Sequence, residues 1–433
     1  MQGEKLTFAH LSDIHFIRAF SSESPFDIDR PVRDAILHDA RSLRGQVGSV
    51  HGILITGDIA YAGKAGEYNT ALEWLAQLAE ILNCEKEYLW CVPGNHDVDQ
   101  SVLKENTAIS AVHHRLRQAA DRNVQLRKDL EVENTGRLVF SPLRAYSEEF
   151  ATRLDCLSRP SQPWWTDDLI LNDGSTLRLR GLNSVMISGL DDNDKENKLL
   201  LGAIQTEYGR SDGVEYLTLC HHPTDWLLDK DSVDEALLAY SRIQLFGHKH
   251  IQKANKIDET LWLVAGAVHP DRAKSSWLPR YNYLSIGVEG TGSDRYMSVD
   301  VYARVWSQTE RRFTREQGSY KEEFRNYKLR LPEWRPEMIA ERRELRPSSE
   351  PAARSSGDVQ KGTNLNRKKL LFRFIGLPHH AKVAIMKKFD LMEEGDQTLP
   401  DAEVFAACFE RAKRKGVLDA LWDAVEGQAS QRP

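Results

Sequence analysis

The chain has no long apolar run, few cysteines and little net charge. Each of these shortages argues against one class of protein. Its 433 residues contain no apolar stretch near the roughly 18 residues of a membrane span, so we expect no membrane-spanning helix. Five scattered cysteines without a CxxC pair argue against a disulfide framework or a zinc ribbon. A net charge of -6 gives no overall attraction to nucleic acid, although a local basic patch is compatible with it.

The first residues also lack the basic and then apolar pattern of a secretory signal. The cytoplasm is therefore the expected compartment. Since the chain is longer than one hydrophobic core usually fills, we expect a large catalytic domain and a smaller second domain.

Short apolar runs alternate with helical patterns over the first three hundred residues. Apolar residues recur at helix spacing between Tyr68 and Leu82, which predicts a helix there. Strand-like runs occupy residues 5–11, 51–56, 87–92, 215–220, 243–246 and 260–264. Strands alternating with helices predict a layered α/β domain.

Three further segments interrupt or extend this alternation. Residues 99–158 carry long polar helical stretches, 101–130 and 142–157, and we interpret them as a cap-like insertion over the site. The turn Asn172-Asp173-Gly174-Ser175 predicts a hairpin between residues 165–171 and 176–182, because Asp-Gly tolerates the positive φ of such turns. Residues 281–288 and 296–305 predict another antiparallel pair.

The C-terminal third divides into a linker and a small helical unit. Residues 331–366 are rich in proline, serine and charge, which predicts a flexible linker after a catalytic domain at 1–330. Helical patterns then cover residues 367–375, 378–391, 400–415 and 417–425. They predict a compact all-α domain at residues 367–428.

Polar clusters follow five of the predicted strands directly. In chain order they are Asp13-x-His15, Gly57-Asp58, Gly94-Asn95-His96-Asp97, His221-His222-Pro223 and Gly247-His248-x-His250. Ligands of open α/β sheets bind beyond the carboxyl ends of the strands, so these clusters can converge on one place. Each cluster alone would pass for an ordinary turn, but the ordered combination makes that interpretation improbable.

The side chains of these clusters suit two adjacent divalent transition-metal ions. A carboxylate must bridge the ions, and Asp58 is the candidate for this role. Ions about 3.5 to 4 Å apart lower the pKa of a shared water and neutralise phosphate oxygens, so no protein nucleophile is needed. Mixed carboxylate, amide and imidazole ligands favour manganese or iron, with zinc or nickel as alternatives.

The ordered motifs resemble the calcineurin-like metallophosphoesterase superfamily over about residues 5–300. The resemblance implies a four-layer α-β-β-α sandwich that binds two metals. It implies that one metal is held by Asp13, His15, Asp58 and His250, and the other by Asp58, Asn95, His221 and His248. These side chains are the seven candidate ligands.

The resemblance also implies a proton donor or charge stabiliser, His96, with Asp97 orienting it. The family's histidine two places before proline favours His221 as a ligand, and His222 is the alternative. Other pairs receive structural interpretations: we expect His113-His114 and His379-His380 to face solvent, and Trp164-Trp165 to pack rather than stack a base.

Three functions remain open at this stage. A phosphodiesterase or phosphatase acting on a small nucleotide, cyclic nucleotides included, ranks first. A metal-dependent DNA or RNA nuclease is the alternative, and it predicts a basic stripe leading to the metals. A binding module with a decayed site is a remote third, because every ligand position is filled.

The helical tail resembles the effector-associated, death-like adaptor domains of bacterial conflict systems over about 60 residues. The resemblance rests on the segments beginning at Leu377, Leu399 and Gly416. It implies a protein partner with a like domain and an effector role in bacterial defence or signalling.

Overall fold

The computed structural model describes residues 4–17, 27, 29–190, 198–269, 278–316, 324–335 and 367–429. Most of the predicted linker, residues 336–366, lies outside this range, so its flexibility stays a prediction. Within the described part, no helix is both long and apolar enough to cross a membrane.

The described residues form two mixed β-sheets with helices around them. The strands are β1 (Leu6–Leu11), β2 (Gly52–Thr56), β3 (Leu89–Val92), β4 (Trp164–Ile170), β5 (Thr176–Leu182), β6 (Val214–Leu219), β7 (Ser241–Phe246), β8 (Lys253–Ile257), β9 (Thr260–Val264), β10 (Arg280–Glu289), β11 (Tyr296–Ser307), β12 (Arg312–Arg315) and β13 (Arg325–Arg330). The helices are α1 (Arg30–Val47), α2 (Ala65–Leu82), α3 (Gln100–Glu105), α4 (Thr107–Gln118), α5 (Arg122–Glu131), α6 (Glu133–Phe140), α7 (Ala203–Thr206), α8 (Lys230–Tyr240), α9 (367–375), α10 (His379–Lys388), α11 (Asp401–Lys415) and α12 (Leu418–Ala429).

The two sheets pack against each other through one hydrophobic cluster. The first has the order β12-β11-β10-β1-β2-β3, with β13 also paired to β11, and the second has the order β4-β5-β6-β7-β9-β8. Side chains of both sheets, such as Ile53 of β2 and Leu219 of β6, belong to the same fully buried cluster. The α/β sandwich and both antiparallel pairs expected from the sequence are confirmed.

The parallel strands explain why apolar runs in the sequence predicted the strands. All six residues of β1 and all five of β2 are buried, because each strand has neighbours on both sides and layers on both faces. β1, β2 and β3 are parallel to one another, as are β6 and β7. Their carboxyl ends therefore point to the same side within each sheet.

The insertion is more divided than its sequence suggested. The predicted stretch 101–130 forms three helices, α3 to α5, because Asn106 and Asp121 cap the starts of new ones. Their side-chain oxygens accept hydrogen bonds from the amides of Ala108 and Val124. Residues 141–154 form short 3₁₀ and π turns instead of one helix.

The insertion packs beside the second sheet. Leu116 and Leu126 of α4 and α5 share a buried cluster with Leu182 at the end of β5 and with Leu200. The contact fixes the insertion on the outside of that sheet. A cap-like role over the site stays a prediction.

His113 is buried, and the expectation that it faces solvent is wrong. Ile109, Val112, His113 and Leu116 follow the helical repeat, so the histidine lies within the apolar stripe of α4. Burial, aided by the charge of Arg117, lowers the pKa of His113 to about 4. His114, the next residue, is exposed as expected.

The four C-terminal helices form their own core and are confirmed as a helical domain. Phe374, Phe405 and Phe409 meet at its centre, where the ring of Phe374 lies 5.2 Å from each of the other two. Helix α11 ends at Gly416, whose φ of 68° suits a residue without a side chain. His379 and His380 at the start of α10 are exposed, as expected.

The helical domain contacts the catalytic domain through three consecutive basic residues, which we call the basic triplet: Arg367, Lys368 and Lys369. Lys368 is only 2% exposed, and its Nζ lies 4.7 Å from the ring centre of Trp90 in β3 and 3.9 Å from Asp167. Arg367 pairs with Asp155 at 3.2 Å, and Lys369 pairs with Glu85 at 2.9 Å. A desolvated cation over a tryptophan ring contributes about 2 kcal/mol, so Lys368 anchors the domain to β3.

Replacing His113 by phenylalanine should make folding stability less dependent on pH. Its pKa is about 4 in the folded chain and near 6.5 when unfolded, so the unfolded chain gains a proton first and stability falls below pH 6.5. Between pH 7.5 and pH 5 this group costs about 2 kcal/mol. Urea unfolding at the two pH values should show a loss smaller by that amount in His113→Phe, and an unchanged loss would place the ring in solvent.

Candidate metal centre

Five loops bring the seven candidate ligands together at the carboxyl ends of five strands. Asp13 and His15 follow β1, Asp58 follows β2, and Asn95 follows β3, all in the first sheet. The remaining histidines follow β6 and β7 of the second sheet. Backbone hydrogen bonds join the loops, including Asp13 to the carbonyl of Gly57 at 3.1 Å and Gly247 to that of His221 at 3.0 Å.

The backbone is strained at most of these positions. Asp13, His15, Asp58, His248 and His250 have φ between 51° and 63°, in the left-handed region that side chains rarely adopt. They are five of the ten such non-glycine residues in the described part of the chain. A cost on the order of 1 kcal/mol or more at each persists only where the surroundings impose it, as at functional sites.

Glycines precede three of the ligands because the loops pack too closely for a side chain. A Cβ at Gly94 would approach Asp58 Oδ1 closer than 3.0 Å, and one at Gly57 would do the same to the ring of His221. At Gly247 the collision would be with Ser12. The Gly-Asp, Gly-Asn and Gly-His patterns therefore have a steric cause.

Asp58 and Asn95 lie between histidines on one side of the site. Asp58 Oδ2 is 3.4 Å from His221 Nε2 and 3.8 Å from His15 Nε2. Asn95 Oδ1 is 3.1 Å from His221 Nε2 and 3.1 Å from His248 Nδ1. On the other side, Asp13 Oδ1 lies 2.9 Å from His250 Nε2.

The ligand atoms fall into four overlapping groups, two of which contain Asp58. Ligand atoms of Asp13, His15 and His250 all lie within 4.8 Å of one another, and so do those of Asp13, Asp58 and His221. Asp58 also groups with His15 and His96, and His221 groups with His222 and His248. The expected division into two sites with Asp58 between them is compatible with this arrangement.

The electrostatics of the cluster suit bound cations. Burial lowers the pKa of His15 and of His248 to about 3, so both rings are neutral and offer a lone pair. Burial also opposes charge on His221 and Asp58, but their mutual attraction outweighs it. This attraction raises the pKa of His221 to about 9 and holds that of Asp58 well below its ordinary value, so the carboxylate is charged and attracts a positive charge at this place.

An unpartnered atom and a fixed tautomer also fit metal ions. The buried His15 Nδ1 has no hydrogen-bond partner. His221 Nδ1 lies 2.7 Å from the carbonyl oxygen of Thr56 and donates to it, which leaves Nε2 free to face Asp58 and Asn95. The residues present therefore fit two divalent ions.

His221 and His222 both lie at the site, but they face different groups. His222 Nδ1 lies 2.9 Å from the hydroxyl of Ser184, and its ring packs 4.4 Å from that of His248. Only His221 of the two contacts both Asp58 and Asn95 among the described hydrogen bonds and ion pairs. The geometry favours His221, as expected from its place before Pro223.

Asp97 does not orient His96 in the expected way. Its carboxylate accepts hydrogen bonds from the amides of Ile59, Ala60 and Gly94, so it ties the residues after Asp58 to the loop after β3. The ring of His96 is held instead by the carbonyl oxygen of Tyr61, 2.8 Å from Nδ1. Asp97 is thus a positioning residue for the loops.

Two residues near the site were not singled out from the sequence. His269 follows β9, its ring lies 5.0 Å from that of His15, and its Nδ1 is 2.9 Å from Asp29. The strand-end rule that found the other clusters applies to it as well. Tyr61, three residues after Asp58, is 53% exposed and lies beside His96 with no sequence signal of its own.

Comparison with known proteins assigns both parts of the chain. Residues 6–252 match the model of the calcineurin-like phosphoesterase family, which is more than half of the chain. Residues 366–427 match the model of the GTPase-associated adaptor domain, so the predicted adaptor is confirmed. No curated protein matches the chain.

Solved structures with a similar fold are distant in sequence. Zinc-bound Vps29 from Entamoeba histolytica is 10% identical, with a TM-score of 0.29 over 72% of this chain and 98% of its own. Vps29 from Chaetomium thermophilum is 8% identical, with a TM-score of 0.30 over 76% and 100%. GAP50, the anchor in the inner membrane complex of Plasmodium, is 10% identical, with a TM-score of 0.38 over 81% and 100%. These likenesses carry no functional argument.

Adding one methyl group at Gly94 should disrupt the site without replacing any of the seven candidate ligands. The Cβ of Gly94→Ala would collide with Asp58 Oδ1 and displace it, so manganese should bind at least about 10-fold more weakly. Titration calorimetry with Mn²⁺ measures the loss.

Gly45→Ala on exposed α1 is the matched control, because its Cβ would meet no atom within 4 Å. It should bind manganese as the wild type does. Equal affinity of Gly94→Ala and wild type would show that Asp58 is not a ligand.

Proposed function

The chain belongs to the calcineurin-like phosphoesterase family, and we propose that it hydrolyses a phosphodiester with two divalent metal ions. The convergence of the seven candidate ligands around Asp58 carries this proposal. We assign one ion to Asp13, His15, Asp58 and His250, and the other to Asp58, Asn95, His221 and His248. Manganese or iron is the proposed metal, since the ligands mix oxygen and imidazole nitrogen.

In this proposal the residues of the chain hold the metal ions, orient the ring of His96 and supply a proton to the leaving group. When bound, the two ions supply an activated water and neutralise the charge that develops on the phosphate. His96 Nδ1 donates to the Tyr61 carbonyl, so the protonated ring carries its second proton at Nε2. We assign this proton to the leaving oxygen, while Asp97 keeps the loops of Asp58 and Asn95 in place.

Substituting Asp58 by asparagine should abolish most of the activity. The amide keeps the shape of the side chain but loses the charge that two cations share, so turnover should fall at least about 100-fold. The assay is hydrolysis of bis-p-nitrophenyl phosphate with Mn²⁺. A chelator should stop the wild-type reaction, and added Mn²⁺ should restore it.

His380→Ala is the control for this experiment, because His380 is exposed on the adaptor domain and far in sequence from every ligand. It should retain wild-type turnover. Wild-type turnover in Asp58→Asn would refute the proposed metal centre.

The proposed ester is a nucleotide phosphodiester, of which a cyclic nucleotide is the smallest example. Two aromatic side chains flank the ligands and support a substrate with bases: Tyr61, whose ring lies 5.8 Å from His96, and Trp226, 4.2 Å from His248. Stacking on an aromatic face contributes about 1 to 3 kcal/mol per base. DNA or RNA as substrate is the alternative within this class, and a binding module without activity is the remote one.

We also propose that the adaptor domain recruits a protein partner with a like domain, as an effector in bacterial defence or signalling would. The match to the GTPase-associated adaptor domain supports an adaptor role. None of the seven candidate ligands belongs to this domain. Recruitment and hydrolysis are therefore separable functions of the chain.

Removing residues 362–433 should abolish capture of a partner but spare hydrolysis of the small chromogenic ester. Affinity capture followed by mass spectrometry measures the first, and bis-p-nitrophenyl phosphate turnover measures the second. Full-length Asp58→Asn is the reciprocal control, which should keep the partner and lose turnover. Equal capture of the partner by the truncated chain would contradict the adaptor role. Loss of turnover in the truncated chain would show that the basic triplet has a structural role in the catalytic domain.

A further inference from the structure

Two buried cysteines lie where the adaptor domain meets the edge of the first sheet, and neither is a candidate metal ligand. Cys91 is the third residue of β3 and is fully buried, and Cys156 follows the last turn of the insertion and is 1% exposed. The Sγ of Cys156 lies 3.9 Å from the carbonyl oxygen of Leu89 and contacts both the thiol and the amide of Cys91. We call Cys91 and Cys156 the thiol pair.

A buried lysine of the adaptor domain points at the thiol pair. The Nζ of Lys368 lies 4.0 Å from the Sγ of Cys156. A buried ammonium group is costly unless a negative charge lies near it. Its nearest carboxylate in the described part of the chain is Asp167 at 3.9 Å, which is too far for a hydrogen bond, and burial raises the pKa of that group. The thiolate of Cys156 is therefore a second anion that can compensate Lys368.

The surroundings make Cys156 the more acidic thiol of the pair. Burial raises the pKa of Cys156, but contact with Cys91 and the charge of Lys368 outweigh this effect and lower the pKa below its ordinary value. Burial and the neighbouring Cys156 hold the pKa of Cys91 well above its ordinary value. Because the thiolate is the nucleophile in thiol oxidation, Cys156 is the attacking residue of the pair and Cys91 the resolving one.

A cavity of about 310 Å³ lies beside Cys156. Asp155 and Leu157, the residues on either side of Cys156, line it together with Trp165 of β4 and Arg367 of the adaptor domain. Hydrogen peroxide is close in size to water, whose share of liquid volume is about 30 Å³, so it fits this cavity. Burial of the thiol pair therefore excludes bulky oxidants such as glutathione disulfide more strongly than it excludes a peroxide.

We propose that Cys156 and Cys91 are a reversible oxidation site for hydrogen peroxide. The thiolate sulfur of Cys156 attacks one peroxide oxygen, the O–O bond breaks and hydroxide leaves, so the sulfur becomes a sulfenic acid. The thiol of Cys91 then attacks this sulfur: an S–S bond forms, the S–O bond breaks, and the thiol proton leaves with the hydroxyl group as water. Cys156 lies outside the helices and strands, so its backbone can move as far as a disulfide bond requires.

The test is treatment of the reductant-free full chain with hydrogen peroxide, followed by mass spectrometry of its peptides. The wild type should yield one pair of peptides joined through Cys91 and Cys156 and lighter by two hydrogen atoms, and dithiothreitol should separate them. In Cys91→Ser the reaction should stop at a sulfenic acid on Cys156, which dimedone labels. Circular dichroism checks that the variant folds.

Cys84→Ser is the matched control. Cys84 is more exposed than either member of the thiol pair, but burial raises its pKa to about 12. The control variant should form the Cys91–Cys156 bridge as fast as the wild type. The proposal is overturned if the wild type forms no such bridge, or if peroxide oxidises Cys84 before Cys156.

A second comparison tests the role of the lysine. Lys368→Met keeps an unbranched side chain over Trp90 but removes the charge, so oxidation of Cys156 should slow at least about 10-fold. Lys369→Met removes the neighbouring charge, whose partner is Glu85, and should leave the rate unchanged. A wild-type rate in Lys368→Met, or equal slowing in both variants, would overturn the activation of Cys156 by Lys368.

Discussion

The carboxylate of Asp58 is the group on which the arrangement of the site depends. It is 1% exposed, and it meets His15 from one strand end, His221 from the other sheet and the amide of His96. A buried charge is costly unless charged and polar groups surround it, so every loop near Asp58 must supply one. This requirement accounts for the left-handed backbone at Asp58 itself and for the glycine at position 94 beside it.

Two sheets rather than one allow so many ligands to meet. Parallel strands of the first sheet deliver carboxylates, an amide and a histidine, and those of the second sheet deliver only histidines. The shared hydrophobic cluster holds the two sheets face to face, so their strand ends adjoin. Asp97 then ties the loop after β2 to the loop after β3 through backbone amides. Stability and chemistry thus depend on the same packing.

The first sheet also connects the candidate metal centre to the C-terminal helical domain. Four of the candidate ligands follow β1, β2 and β3, and Lys368 of the basic triplet contacts β3 at the edge of the sheet. Lys368 rests on Trp90, five residues before Asn95 in the chain. The candidate metal centre and the docked helical domain therefore share one sheet. The adaptor domain is docked through charges and one buried cation, in spite of the long segment that precedes it.

The sequence by itself determined the α/β fold, the helical adaptor and the polar clusters, because buried parallel strands leave apolar runs and their ends leave Asp, Asn and His. Only the tertiary structure decided which groups face one another. The carbonyl of Tyr61, rather than the carboxylate of Asp97, holds the ring of His96. His113 is buried because it lies within the apolar stripe through which α4 packs on the rest of the domain. Such pairings join residues far apart in the chain, and no local pattern records them.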